Sequence, residues 1–211
     1  MDWYFDFISP YAYLQFKRLE ALGLQRELRL TPILFAGVLN HWGQRGPAEI
    51  PPKRLFTYRH VSWLARSQAV PFKMPEGHPF NPLKLLRLAI HGGTEWSLVA
   101  RLFDFVWRDG FIPDNAPAFA GLLKELGMAD AVEGMGRPEV KAALRSNTER
   151  AIEAGVFGVP TIAIGTHLFW GQDATDMALQ FRRDQSAFAE DDRIIAALPV
   201  AAARPQPRTG S

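Results

Sequence analysis

The chain has 211 residues, 47% hydrophobic and 22% charged, the balance of an ordinary globular protein with enough length to bury a sizeable core. Lys and Arg number 24 against 22 Asp and Glu, a net charge of +2; with no dense basic run, that argues against nucleic-acid binding. Cysteine is absent, which excludes disulfides, thiolate metal sites, iron–sulfur clusters and a protein-borne cysteine nucleophile.

Met1-Asp2-Trp3-Tyr4-Phe5-Asp6 has neither a basic n-region nor a long apolar run, so no signal peptide is read there. No stretch of about 18 consecutive apolar residues occurs, so no membrane partner is expected and the cytoplasm is the default location. At roughly 150 residues per domain, the length fits one domain, or one carrying a large insertion.

Residues 2–8 (DWYFDFI) are aromatic and β-branched, the composition of a strand. Ser9-Pro10 follows, a good N-cap and a good first helical residue. A helix is predicted from there to Leu22, stopped by Gly23. Residues 27–34 (ELRLTPIL) alternate as a second strand would, so the first 34 residues read as a βαβ unit.

The middle of the chain changes character. Residues 35–50 carry Gly37, Gly43, Gly46 and Pro47 and read as a loop with at most a short helix. Pro52 opens a helix to about Gln68. The segment 71–82 (PFKMPEGHPFNP) is an irregular connection. Asn81-Pro82 caps a helix to Ile90, and Glu95–Arg108 carries apolar residues at helical spacing. Further helices are predicted over 116–126 and 138–154, with one turn near 129–133. Trp42, Trp63, Trp96 and Trp107 are expected in the core.

Strands return after this block. Val159–Ile164 and His167–Trp170 flank Gly165-Thr166, the pattern of a β-hairpin. Helices follow at about 174–187 and 191–198. Residues 199–211 are small, Pro-rich and basic, the composition of a loose tail. The predicted layout is α/β, βαβ…ββα, with one domain built from 1–34 and 157–198 and an all-helical insertion at 35–156.

Three local motifs stand out: Ser9-Pro10-Tyr11 after the first strand, Gly158-Val159-Pro160-Thr161 before the third, and Gly171-Gln172-Asp173 ahead of a late helix. Together with the layout they resemble the thioredoxin-like branch that includes DsbA-like oxidoreductases, kappa-class glutathione transferases and 2-hydroxychromene-2-carboxylate isomerases. The resemblance spans about residues 1–190, and the stretch 37–64 looks most like the isomerases.

Ser9 lies where a strand end meets a helix N-terminus, a point favourable to an anion. Dithiol proteins of this fold carry the first Cys of C-x-x-C there; Ser9-Pro10-Tyr11-Ala12 cannot do that chemistry. A Ser hydroxyl is a poor nucleophile without a base, and none is suggested nearby. It is a good donor to a bound thiolate, whose ionised form it would favour. By resemblance that thiolate belongs to glutathione, with Pro10 and Tyr11 beside it. Val159-Pro160 resembles the cis-proline loop, so Val159 is expected to pair its backbone with the cysteinyl part. By the same resemblance Asp173 and Gln172 would receive the γ-glutamyl end, although Asp173 also reads as a plain helix cap.

Gln44 stands where related transferases have a glutathione-contacting Asn. Lys53, then Arg54, are the candidates for holding a substrate carboxylate. Arg59 and His60 read as a solvated helix face, and His78–Pro82 as a rigid pocket wall. Histidine spacing suggests no metal site. The resemblance implies a glutathione-dependent isomerase acting on a small aromatic 2-oxo acid, working as a homodimer. A kappa-like transferase, or a non-catalytic glutathione- or peptide-binding module, are the alternatives.

Overall fold

A computed structural model describes residues 1–199. Four strands form one mixed sheet in the order β2-β1-β3-β4. β1 (Asp2–Phe5) is parallel to β2 (Arg29–Pro32), with Trp3 opposite Leu30. On its other side β1 is antiparallel to β3 (Thr161–Ile164), with Trp3 opposite Ile162. β3 turns back into β4 (His167–Trp170). The predicted βαβ…ββα order is therefore present, with α1 (Pro10–Ala21) as the crossover.

β1 is an inner strand covered on both faces, which explains a sequence that is aromatic without alternation. Trp3 and Phe5 point to one side, where they pack with Phe7, Phe16 and Phe103; the rings of Trp3 and Phe5 stack at 4.6 Å and those of Phe7 and Phe103 meet at 4.7 Å. Tyr4 points to the other side, into a smaller cluster with Ile33, Val38, Ala151, Val156 and Val159.

β1 stops at Phe5, three residues short of the predicted end. The cause is Asp6. Its Oδ1 accepts from the Ile8 amide at 3.1 Å, and its carbonyl accepts from the Ser9 amide at 3.1 Å. A tight turn thus replaces the last ladder positions and lifts Ser9 to the start of α1.

Between β2 and β3 lie α2 (Phe35–His41), a 3-10 turn (Pro47–Glu49), α3 (Pro51–Ser67), α4 (Leu83–His91), α5 (Trp96–Trp107), α6 (Ala116–Glu125), α7 (Ala131–Gly136) and α8 (Pro138–Glu153). α2 occupies part of the predicted loop at 35–50. Its entry is fixed from a distance, since Phe35 N donates to Asp6 Oδ2 at 2.9 Å and Leu34 N to Thr148 Oγ1 at 3.0 Å. Asn81 Oδ1 accepts from Leu83 N at 3.0 Å, one residue off the predicted cap position. Segment 71–82 is irregular, as predicted, and is held by Tyr13 Oη donating to Pro71 O at 2.6 Å.

α9 (Thr175–Arg183) and α10 (Ala189–Ala196) complete the described chain. α9 ends four residues before the predicted stop because Asp184 turns extended and its carboxylate accepts from Ser186 N and Oγ. The tail expected at 199–211 lies, apart from Pro199, outside the described residues. Among the described residues no helix is long and apolar enough to cross a membrane.

One buried amide ties the distant parts together. Gln15 is fully buried on the apolar face of α1. Its Oε1 accepts from Trp3 Nε1 at 2.6 Å; its Nε2 donates to Gly171 O at 2.9 Å and to Thr175 Oγ1 at 3.0 Å. Gln15→Leu would keep the volume, leave the buried Trp3 Nε1 without a partner and take one of two partners from Gly171 O and from Thr175 Oγ1. Such a change is expected to lower the unfolding free energy by about 2–4 kcal/mol, measured by denaturant titration.

Candidate active site

Ser9 caps α1. Its backbone is extended (φ −90°, ψ 114°), and its Oγ accepts from the Ala12 amide at 3.2 Å. Pro10 fills the first helical position, and the first turn of α1 carries no acidic residue. The positive end of the helix is therefore not neutralised from within. Ser9 is 7% exposed. Its hydroxyl faces the Val159 carbonyl at 3.5 Å, the outer limit of a hydrogen bond. So weak a bond leaves the proton available to a better acceptor.

Val159 precedes a cis peptide bond to Pro160. Its amide has no protein partner among the described residues. The loop that follows β4 is pinned to the same place. Gly171 N donates to Pro160 O at 2.9 Å, and Gln15 holds Gly171 O from below. Gly171 has φ +96°, and a Cβ there would collide with Asp173 Oδ1. Glycine is needed at this position both for the left-handed backbone and to leave Asp173 its place.

Gln172 is buried; its Oε1 faces Gln68 Nε2 at 3.4 Å and its carbonyl accepts from Thr175 Oγ1 at 2.7 Å. Asp173 is exposed. The structure thus brings Ser9, Pro10, Val159, Gln172 and Asp173 to the N-terminus of α1 and the loops in front of it.

Tyr11 turns toward α3. Its hydroxyl lies 3.0 Å from His60 Nδ1. Burial raises the phenol above its usual value; a hydrogen bond from Thr57 opposes this and the nearby Asp173 carboxylate adds to it. His60 is therefore not a freely solvated face residue, which corrects the sequence-based expectation, and a titratable partner does lie close to the site. The His60 ring stacks between Phe56 and Trp63, at 5.5 and 6.1 Å. Trp63 is 56% exposed and Trp42 45%, whereas Trp107 is fully buried as expected. Trp42 reaches out of the core because its Nε1 donates to Val156 O at 2.9 Å.

The two cations on α3 part company. Lys53, Thr57 and His60 are spaced i, i+4, i+7, one helix face, and Thr57 and His60 of that face meet Tyr11. Arg54 falls on the row of Tyr58 and influences that phenol instead. Both Lys53 and Arg54 are exposed, with no ion pair among the described residues. Gln44 is exposed in the turn after α2, where its backbone amide donates to Leu39 O at 2.9 Å.

A family model for the DSBA-like thioredoxin domain matches residues 1–181. A 2-hydroxychromene-2-carboxylate isomerase of Pseudomonas putida is 32% identical over 82% of this chain and 89% of its own length. Kappa 2 glutathione S-transferase of Caenorhabditis elegans is 30% identical over 78% of this chain and 80% of its own. A solved 2-hydroxychromene-2-carboxylate isomerase superposes with a TM-score of 0.77 at 25% identity, covering 91% of this chain and 98% of that one. The chain belongs to the DSBA-like thioredoxin family, on the branch of these isomerases and kappa-class transferases.

Within this family frame, the residues that sequence reading missed support the motifs rather than form them. Gln15 carries a visible signal, a lone amide on an otherwise apolar helix face. Asp6 is a second. It is completely buried, and burial pushes its carboxyl up to about 7 against backbone hydrogen bonds from Phe35, Ile8 and Phe7 that act to lower it. His78 is a third. Its Nε2 lies 2.8 Å from Ile8 O, its Nδ1 2.8 Å from Tyr58 Oη, and burial lowers its pKa. The neutral ring with Nε2–H satisfies both contacts. Asp6 and His78 thus hold the Ile8 amide and carbonyl, directly before Ser9.

Asp6 makes a testable contribution to the pH dependence of stability. Its folded-state pKa lies above the unfolded value of 3.8, so the folded chain holds this proton more tightly. The stabilisation is full below about pH 4 and is lost as pH rises through about 7. Within that window the loss approaches about 1.4 kcal/mol per pH unit. Asp6→Asn is expected to remove this slope, so that the variant gains on the wild type as pH increases from 4 to 7. Urea titrations of both proteins across that range measure it, and parallel curves would show that Asp6 does not titrate there.

Proposed function

We propose that the protein is a glutathione-dependent isomerase of a small aromatic 2-oxo acid, interconverting 2-hydroxychromene-2-carboxylate and trans-o-hydroxybenzylidenepyruvate. One observation carries this reading. The Ser9 hydroxyl, at an uncompensated helix N-terminus, faces the carbonyl of Val159, whose amide is unpaired, with Asp173 held at the rim. The named isomerases among the relatives supply the substrate class.

The residues fit glutathione. Val159 offers an amide and a carbonyl side by side, which suits an extended peptide laid along it. Asp173 offers an exposed carboxylate to an ammonium group. Ser9 offers a proton to a thiolate, and the α1 dipole favours the same negative charge. Glutathione, when bound, supplies a thiolate that adds reversibly to an activated C=C bond and so lets that bond rotate.

The other tasks fall to α3. Lys53 stands on the face of α3 that meets Tyr11, placed to attract a substrate carboxylate and to stabilise enolate charge as it develops. Arg54, on the neighbouring row, is the weaker candidate for that role. Tyr11, with His60 behind its hydroxyl, provides a polar edge to the pocket, and the exposed rings of Phe56 and Trp63 offer flat surfaces to an aryl group. Pro10 fixes the backbone where these parts converge.

Ser9→Ala is expected to lower kcat by about a hundredfold, the effect of removing one donor from a developing anion. Asp173→Ala is expected to raise the half-saturating glutathione concentration by about tenfold and leave kcat nearly unchanged. Both are read from ultraviolet equilibration of trans-o-hydroxybenzylidenepyruvate at varied glutathione. A fully active Ser9→Ala protein would refute the thiolate assignment.

The 30% identity to a kappa transferase supports a second reading, in which the same site joins glutathione permanently to an electrophile. The two readings differ in stoichiometry. An isomerase leaves the glutathione concentration unchanged at equilibrium, whereas a transferase consumes one molecule per turnover.

A further inference from the structure

A concavity lies at the free edge of β2, and none of the residues around Ser9 lines it. Tyr4, Arg29, Thr31, Asn147 and Arg150 surround a cavity of about 330 Å³. That volume is at the small end of ligand sites, which span roughly 300–1,000 Å³. Its walls come from β1, β2 and α8, together with Gly93 and Thr94 of the turn between α4 and α5.

The polar groups around it are underused. Tyr4 is 92% buried (8% exposed), yet its hydroxyl has no hydrogen-bond partner among the described residues. The ring is buried, whereas the hydroxyl oxygen keeps access to solvent. Arg29 gives its Nε to Asp2, and its two Nη groups bond to no described residue. Arg150 is aimed by a short relay: Asn147 Nδ2 donates to Pro32 O at 3.2 Å, and Asn147 Oδ1 then accepts Arg150 Nη2 at 2.6 Å. The remaining guanidinium donors of Arg150 stay open. Two cations and one bonded carboxylate, Asp2, leave the cluster with a net positive charge.

We propose that this cavity binds a small organic oxyanion, a carboxylate or a phosphate monoester, between Arg29 and Arg150, with Tyr4 Oη as the third donor. Guanidinium forks match either headgroup through paired N–H donors. Leu30 and Pro32 line the same cavity and give the organic part an apolar surface. The electrostatics agree with this arrangement: burial and Asp2 raise the Tyr4 phenol, while Arg29 and Arg150 pull it down. The site is independent of the glutathione reading and stands or falls without it.

Calorimetric titration of the full-length protein with phenyl phosphate and with benzoate tests the proposal. Saturable binding of at least one of them is expected. Arg150→Gln should weaken it by about tenfold, the loss of one charge-assisted pair. Tyr4→Phe should weaken it several-fold, and Ser9→Ala should leave it unchanged. Saturation by only one probe supports the site and names its headgroup. The proposal is overturned if neither probe saturates, if Arg150→Gln and Tyr4→Phe both bind as the wild type does, or if Ser9→Ala abolishes binding, which would place the anion at the other site. Thermal melts of Arg150→Gln and Arg29→Gln without ligand separate lost binding from lost folding.

Discussion

The candidate site depends on a neutral amide that touches no ligand. Gln15 is fully buried, and a buried amide must satisfy both its ends or destabilise the fold. It does so only if Trp3 on β1, the Gly171 carbonyl and the Thr175 hydroxyl stand where they do. One side chain of α1 therefore fixes the register between the first strand and a loop more than 150 residues later. Gly171 in turn holds Pro160, and the Val159 carbonyl faces Ser9. The order of causes runs from packing outward: an apolar helix face with one polar exception places the parts of the candidate site.

Directly before Ser9 the backbone is clamped from two sides. Asp6 accepts from the Ile8 amide and joins it to the entry of α2, and His78 Nε2–H donates to the Ile8 carbonyl and joins it to α3 through Tyr58. These two buried titratable groups respond to pH in opposite senses. Asp6 is most favourable when protonated, at low pH. His78 is most favourable when neutral, which is complete above the usual histidine value of 6.5 and is lost as pH falls below it. The two clamps therefore trade off: between about pH 4 and 7 the Asp6 contribution is lost as the pH rises, while the neutral His78 ring is gained.

Local signals were legible in the sequence. Ser9-Pro10 announced a helix start, Gly165-Thr166 a hairpin and the composition of residues 2–8 a strand, while the Val159-Pro160 loop was legible by resemblance. Long-range pairings were not legible. The partner of His60 is Tyr11, 49 residues away, so its own neighbourhood on α3 suggested only a solvated face. The end of β1 was misplaced because Asp6 turns the chain, and an aspartate within an aromatic run reads as an edge charge until Phe35 and Ile8 are seen to bond it. Trp63 was assigned to the core by residue type, whereas the structure leaves it as part of an open aromatic stripe with Phe56 and His60.

The proposed role of Ser9 and the α1 N-terminus is to stabilise a glutathione thiolate. Ultraviolet difference titration of glutathione bound to the protein tests it without any turnover. The bound thiol is expected to ionise at least about one pH unit below the free thiol, and Ser9→Ala to move it back toward the free value. A bound thiol that titrates like free glutathione, or a shift that survives in Ser9→Ala, would contradict it.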